Sequence, residues 1–233
     1  MENPQPIIDE RQSGLSAFFA KIYGLVGVGI LISALVSFIT IKFFPQNLVS
    51  IMQGGNVMVF IIFLIPLLIV FPAQRAAAKN SPTALPLFIL YSAVLGFILS
   101  FSLIFYTGTD ITMAFLISAG MFFGMSVYGR FTKRNLSGMA KAMIAGVWGL
   151  IILGFLNMLF FHSTPLMLLG SVLGIVIFSG LIAYHNQMIE NIYNKNNGQV
   201  NDGWAISMAL SLYISFVNLF LSVLRIIGVV NRR

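Results

Sequence analysis

The chain has 233 residues, 58% of them hydrophobic and 8% charged, with 13 basic and 6 acidic side chains and a net charge of +7. A water-soluble domain carries roughly 25% charged residues, so a soluble enzyme and a disordered tail are excluded, and the absence of cysteine excludes a disulfide scaffold, thiolate catalysis and thiolate metal sites. With a mean hydropathy of +0.96, the sequence is that of an integral membrane protein.

Seven segments reach or approach the roughly 20 apolar residues that a membrane-crossing helix needs. The first runs from Ile22 to Ile41, and the second from Val57 to Phe71, ended by Pro72 and kinked at Pro66. Leu85 to Tyr106, Ile111 to Tyr128, Met143 to Phe161 and Leu166 to Tyr184 follow, and Trp204 to Val230 is the last. Polar sequence is confined to Met1–Leu15, the basic loop Arg130–Lys141 and Asn186–Gly203. This predicts an all-α membrane protein, with a cytoplasmic N-terminal segment over residues 1–17 and one seven-helix domain over 18–233.

Lysine and arginine distribute unevenly between the two sides. One side receives Arg11, Lys21, Arg75, Lys79, Arg130, Lys133, Arg134, Lys141 and Lys195; the other receives Lys42, Arg232 and Arg233. The positive-inside rule then puts the N-terminus in the cytoplasm and explains the net charge without a nucleic-acid partner. Seven crossings leave the C-terminus outside, whereas a re-entrant last segment would return it to the cytoplasm.

The last span carries a polar stripe. Ser207, Ser211, Ser215, Asn218, Ser222 and Arg225 are three or four residues apart and share one helix face. Hydroxyl and amide groups are costly in hydrocarbon, which predicts that the stripe looks inward and that this helix sits near the centre of the bundle. Two readings stay open: small residues that let helices approach, with Asn218 bonded across an interface, or the lining of a hydrated path. Arg225 would snorkel, line water or pair with Asp110, the only acid assigned to the outer side.

No acid lies within a predicted span, which argues against a strong divalent-cation site. His162 and His185 are isolated, each either simply hydrated or, for a gate, proton-sensitive. Gly120-x-x-x-Gly124 and Gly170-x-x-x-Gly174 predict close helix packing. With no nucleophile elbow, zinc-protease helix or phosphate loop, the chain is expected not to be an enzyme, and to need no cofactor.

Ser126–Met139 (SVYGRFTKRNLSGM), Gly146–Phe160, Ala183–Tyr193 (AYHNQMIENIY) and Met208–Gly228 (MALSLYISFVNLFLSVLRIIG) resemble the bacterial Bax inhibitor-1 family, with Leu95–Phe105 a looser match. The resemblance implies six helices around a central seventh in the bacterial cytoplasmic membrane. For some members it implies a pH-sensitive calcium leak, and for others restraint of a membrane-bound protease or a stress response. In leak-type members two aspartates carry the closure. Their places, after Tyr184 and two past Tyr213, are held here by His185 and Ser215, and Arg75 is the family-like basic latch. Two facing carboxylates attract a dication and share a proton; a histidine and a serine do neither in that way.

Overall fold

A computed structural model describes residues 5–231; residues 1–4 of the N-terminal segment, and Arg232 and Arg233, lie outside the described residues. Eight helices follow one another: α1 (Gln5–Phe43), α2 (Pro45–Gln53), α3 (Asn56–Ala78), α4 (Ala84–Leu103), α5 (Gly108–Phe131), α6 (Ser137–Leu156), α7 (Thr164–Lys195) and α8 (Asp202–Val230). All but α2 are long and apolar enough to cross a membrane. A chain with no water at hand for its backbone groups satisfies them within each helix, and the apolar runs supply that length.

Several boundaries differ from the sequence expectation. Pro72 does not end the second span: α3 runs through both Pro66 and Pro72 to Ala78. In an apolar surrounding, the carbonyl that a proline leaves unpaired costs less than unwinding the whole turn would. Likewise α7 continues eleven residues past Tyr184 to Lys195, because the stretch counted as polar includes fully buried Asn186 and apolar Ile189, Ile192 and Tyr193. At the other terminus α1 starts at Gln5, so residues 5–17 of the expected N-terminal segment are the first helix's own extension. α2, with a proline in its first turn and Leu48 buried, fills the connection between the first two spans.

α8 is the axis of the bundle, packing against α1, α3, α4, α5 and α7. The sixth spanning neighbour, α6, packs on α7 instead, and Ala140 is its one buried residue among those described. Leu210, Leu212, Tyr213, Leu219 and Leu224 of α8 are completely buried. Burying one such side chain contributes about 1.5–3 kcal/mol in water, but within a bilayer the gain comes from packing and hydrogen bonds.

Two close approaches fix the frame. Gly96 of α4 lies on Ser33 of α1, where a Cβ would be 2.7 Å from the Ser33 backbone. The Ser33 hydroxyl bonds the Ser92 carbonyl at 2.7 Å, and Ser37 donates to the Gly96 carbonyl at 2.6 Å. Gly129 of α5 lies directly against the Ala183 backbone of α7. Of the two GxxxG pairs, Gly170 and Gly174 pack as expected, against Leu153 and Ser222, while Gly120 and Gly124 meet open space. Sequence spacing places glycines on a face without saying whether a neighbour covers it.

α8 runs from one end of the bundle to the other, with no re-entrant turn. At the N-terminal end the Asn80 side chain accepts from Gly203 N–H at 2.8 Å and Lys21 pairs with Asp202 at 2.5 Å. Both partners of that pair are well exposed, which limits it to about 0–1 kcal/mol. At the far end Asn231 donates to the Asp110 carboxylate at 2.6 Å.

Candidate functional site: the polar edge of the central helix

The stripe on α8 is assembled as its spacing predicts, and its hydrogen bonds are mostly internal to the helix. Ser211, Ser215, Asn218 and Ser222 each donate to the carbonyl four residues earlier, at 3.0, 2.9, 2.9 and 2.7 Å. This back-bonding satisfies each donor locally. It leaves the outward oxygen lone pairs of the serines as acceptors.

The expectation of an inward stripe needs refinement. Ser215 and Ser222 are buried, but Ser207, Ser211, Ile214, Asn218, Leu221 and Arg225 are only partly covered. The better buried positions include the apolar Met208, Leu212, Phe216 and Val223. The helix is enclosed nearly all round, and the polar seam is its most open edge. That edge lies between α3, which meets it at Ser207 and Ser211, and α7, whose Gly174 faces Ser222. α3 and α7 do not pack substantially on each other. A pattern within one helix shows which side chains share a face; the missing neighbour is a property of the bundle.

One side chain crosses the edge. Gln74 of α3 accepts from the Ser207 hydroxyl at 2.6 Å, while its amide nitrogen donates to the Ser211 oxygen at 3.3 Å. Its neighbour Arg75, expected as the latch, is exposed. Sequence reasoning passed over Gln74, although Ala73 and Ala77 on either side of it are buried and mark the inward face of α3.

His185 is partly buried on α7; its ring lies 5.5 Å from that of Tyr184, and its Nδ1 is buried without a hydrogen-bond partner. Counting from the Gly174–Ser222 contact, His185 lies eleven residues onward along α7 and Ser211 eleven residues back along the antiparallel α8. Equal rise along two helices sets them at a similar depth, the level of Gln74. Tyr213 is elsewhere: fully buried, its hydroxyl hydrogen-bonds Ser33 of α1, and Phe88 and Tyr91 of α4 pack edge-on against its ring at 5.9 and 6.1 Å. The structure thus groups Gln74, Ser207 and Ser211 at the seam and assigns Tyr213 to the α1–α4 side.

The ends of the molecule depart from expectation as well. Arg225 makes no ion pair with Asp110. That carboxylate instead caps α5, accepting from Thr107 N–H at 3.2 Å and from the Thr107 hydroxyl at 2.8 Å, besides its bond to Asn231. A second buried polar node went unread: Asn186 of α7 accepts from Tyr23 of α1 at 2.5 Å and donates to Ser126 of α5 at 3.1 Å. Among the described residues no three His, Asp or Glu side chains gather as metal ligands do.

Seven spanning helices with a polar-edged one at the axis define a multi-pass integral membrane protein. A family model described as inhibitor of apoptosis-promoting Bax1 matches residues 15–232, and the chain belongs to this Bax inhibitor-1 family. It is 57% identical to the uncharacterized protein YrjE of Lactococcus lactis, over 98% of this chain and 97% of that one. An uncharacterized membrane protein of Streptococcus pyogenes serotype M1 is 48% identical, over 97% of this chain and 98% of that one. The inner membrane protein YbhL of Escherichia coli K12 is 35% identical, over 97% of this chain and 96% of that one.

Proposed function

We propose that the chain provides a gated leak path for a small monovalent cation along the open edge of α8, in a bacterial cytoplasmic membrane with the N-terminus inside. The observation that carries this reading is the pair of partly open side-chain oxygens of Ser211 and Asn218, on an edge where donors are bonded within the helix. Such oxygens can only accept, and so offer lone pairs to a cation or to its water. The Gln74 bridge closes that edge near its cytoplasmic end. Calcium is disfavoured as the permeant ion, because His185 and Ser215 supply no charge where a dication needs hard anionic ligands.

The test is flux of sodium, potassium and calcium in proteoliposomes across pH 5 to 8. Native flux of a monovalent ion, abolished by Ser211→Leu and increased by Gln74→Leu, supports the reading. Silence in both the native protein and Gln74→Leu overturns it.

A second reading, a non-conducting modulator of a membrane-bound quality-control protease, is favoured by the loop between α5 and α6. Gln187 of α7 pins that loop, accepting from Leu136 N–H at 2.9 Å and donating to the Arg134 carbonyl at 2.8 Å, so exposed Lys133 and Arg134 form a fixed basic surface. Co-purification of such a protease, lost on Lys133→Glu with Arg134→Glu, supports this alternative.

A further inference from the structure

The far end of the bundle, where the open edge of α8 ends, holds a second feature. Where α4 ends beside the last turns of α8, a cavity of about 300 Å³ opens between α4, α7 and α8. Phe101, Met167 and Leu221 give it an apolar wall, and Tyr106 and Arg225 give it a polar one. The Tyr106 ring lies directly on Gly228, a contact that only a residue without a side chain allows, and this holds the wall in place.

Arg225 is the unusual member. It is only partly exposed, sits inside a membrane-spanning helix, and makes no hydrogen bond or ion pair among the described residues. A guanidinium carries five donors in a planar fork that matches phosphate oxygens, and leaving them unmet at such a site is costly. Its depth is also informative. Arg225 lies five residues before the end of α8 at Val230, about 7 Å at a helix's rise. That is roughly the thickness of the headgroup layer that flanks the hydrocarbon.

We infer that this cavity binds an anionic phospholipid, the Arg225 fork gripping its phosphate and an acyl chain lying along Phe101 and Leu221. A free phosphate ion shares the headgroup chemistry but leaves the apolar wall bare, so the cavity's two-sided lining points to the lipid. The test of this site reads binding rather than flux.

Native mass spectrometry of the full chain in detergent makes the test, with phosphatidylglycerol, phosphatidylcholine or inorganic phosphate added. The native chain is expected to retain phosphatidylglycerol in preference to phosphatidylcholine. Arg225→Gln is expected to weaken that retention about tenfold, as loss of charge-assisted hydrogen bonds does. Leu221→Trp fills the cavity while keeping the charge, and should weaken retention similarly with its melting temperature unchanged. Equal retention of the two lipids by the native chain overturns the proposal. So does displacement of phosphatidylglycerol by millimolar inorganic phosphate alone, which would assign the site to a free anion. Native-like retention by Leu221→Trp overturns it as well.

Discussion

The Ser207 hydroxyl donates to the side-chain carbonyl of Gln74 at 2.6 Å, and this bond ties the central helix to the neighbour whose span contains two prolines. Proline removes hydrogen bonds from the helix interior and makes it easier to bend, so α3 is the element best able to move away from the seam. Gln74 holds it there with three bonds, the third a long one from its amide nitrogen to the Ser207 carbonyl at 3.5 Å, a typical bond being worth about 0.5–1.5 kcal/mol net. Gln74→Leu removes all three and is expected to raise monovalent leak by about tenfold, measured in proteoliposomes. Gln74→Glu, which still accepts from Ser207, should fall between the native protein and the leucine variant.

Gly129 rests on the Ala183 backbone, with no flexible side chain between them to give way. Gly129→Ala must therefore push α5 and α7 apart. The expected loss is about 1–3 kcal/mol, as for overpacked interiors, read from thermal unfolding in detergent. Gly124→Ala is the control: its position opens onto empty space, and stability should be unchanged.

Asn186 is fully buried and joins three helices through Tyr23 and Ser126. Asn186→Leu leaves both hydroxyls without this partner and should cost about 1–3 kcal/mol. Tyr23→Phe alone should cost less. A double-mutant cycle between Tyr23 and Asn186 should give a coupling well above zero, since each acts through the other.

His185→Asp with Ser215→Asp places a carboxylate on each of two helices that pack together. Hard anionic oxygens are what a dication requires, so the double variant is expected to gain calcium flux that the native protein lacks. Either single variant should gain much less. Calcium-sensitive dye trapped in proteoliposomes reports the outcome.

The number of spans, the family and the axial place of the last helix were legible in the sequence, because apolar length and a three-four spacing are properties of single helices. What escaped depended on neighbours. Asn186 and the residues after it looked like a polar loop, yet they are the buried last turns of α7. Pro72 looked like a stop, but a helix in an apolar medium has no better use for its backbone than to continue. Gln74 is one amide beside a charged residue that drew the attention instead, and only the packing of α3 on α8 shows which of the two points inward. The stripe itself was found, while its openness between α3 and α7 follows from two helices failing to meet.

α6 presents most of its circumference to lipid and docks on a single partner, through Gly146 against Ile177 and Met143 against Gly180. Its far end is closed by a π-helical turn over Asn157–Phe161, where the Asn157 side chain clasps the Ser163 backbone at 2.8 and 3.2 Å. A helix anchored on one side and clasped at one end can peel away while the other five spanning helices keep their contacts with α8 and each other. Heat or detergent should therefore dismantle the molecule from this flank first, and a cysteine label on α6 would register the loss before any label at the axis.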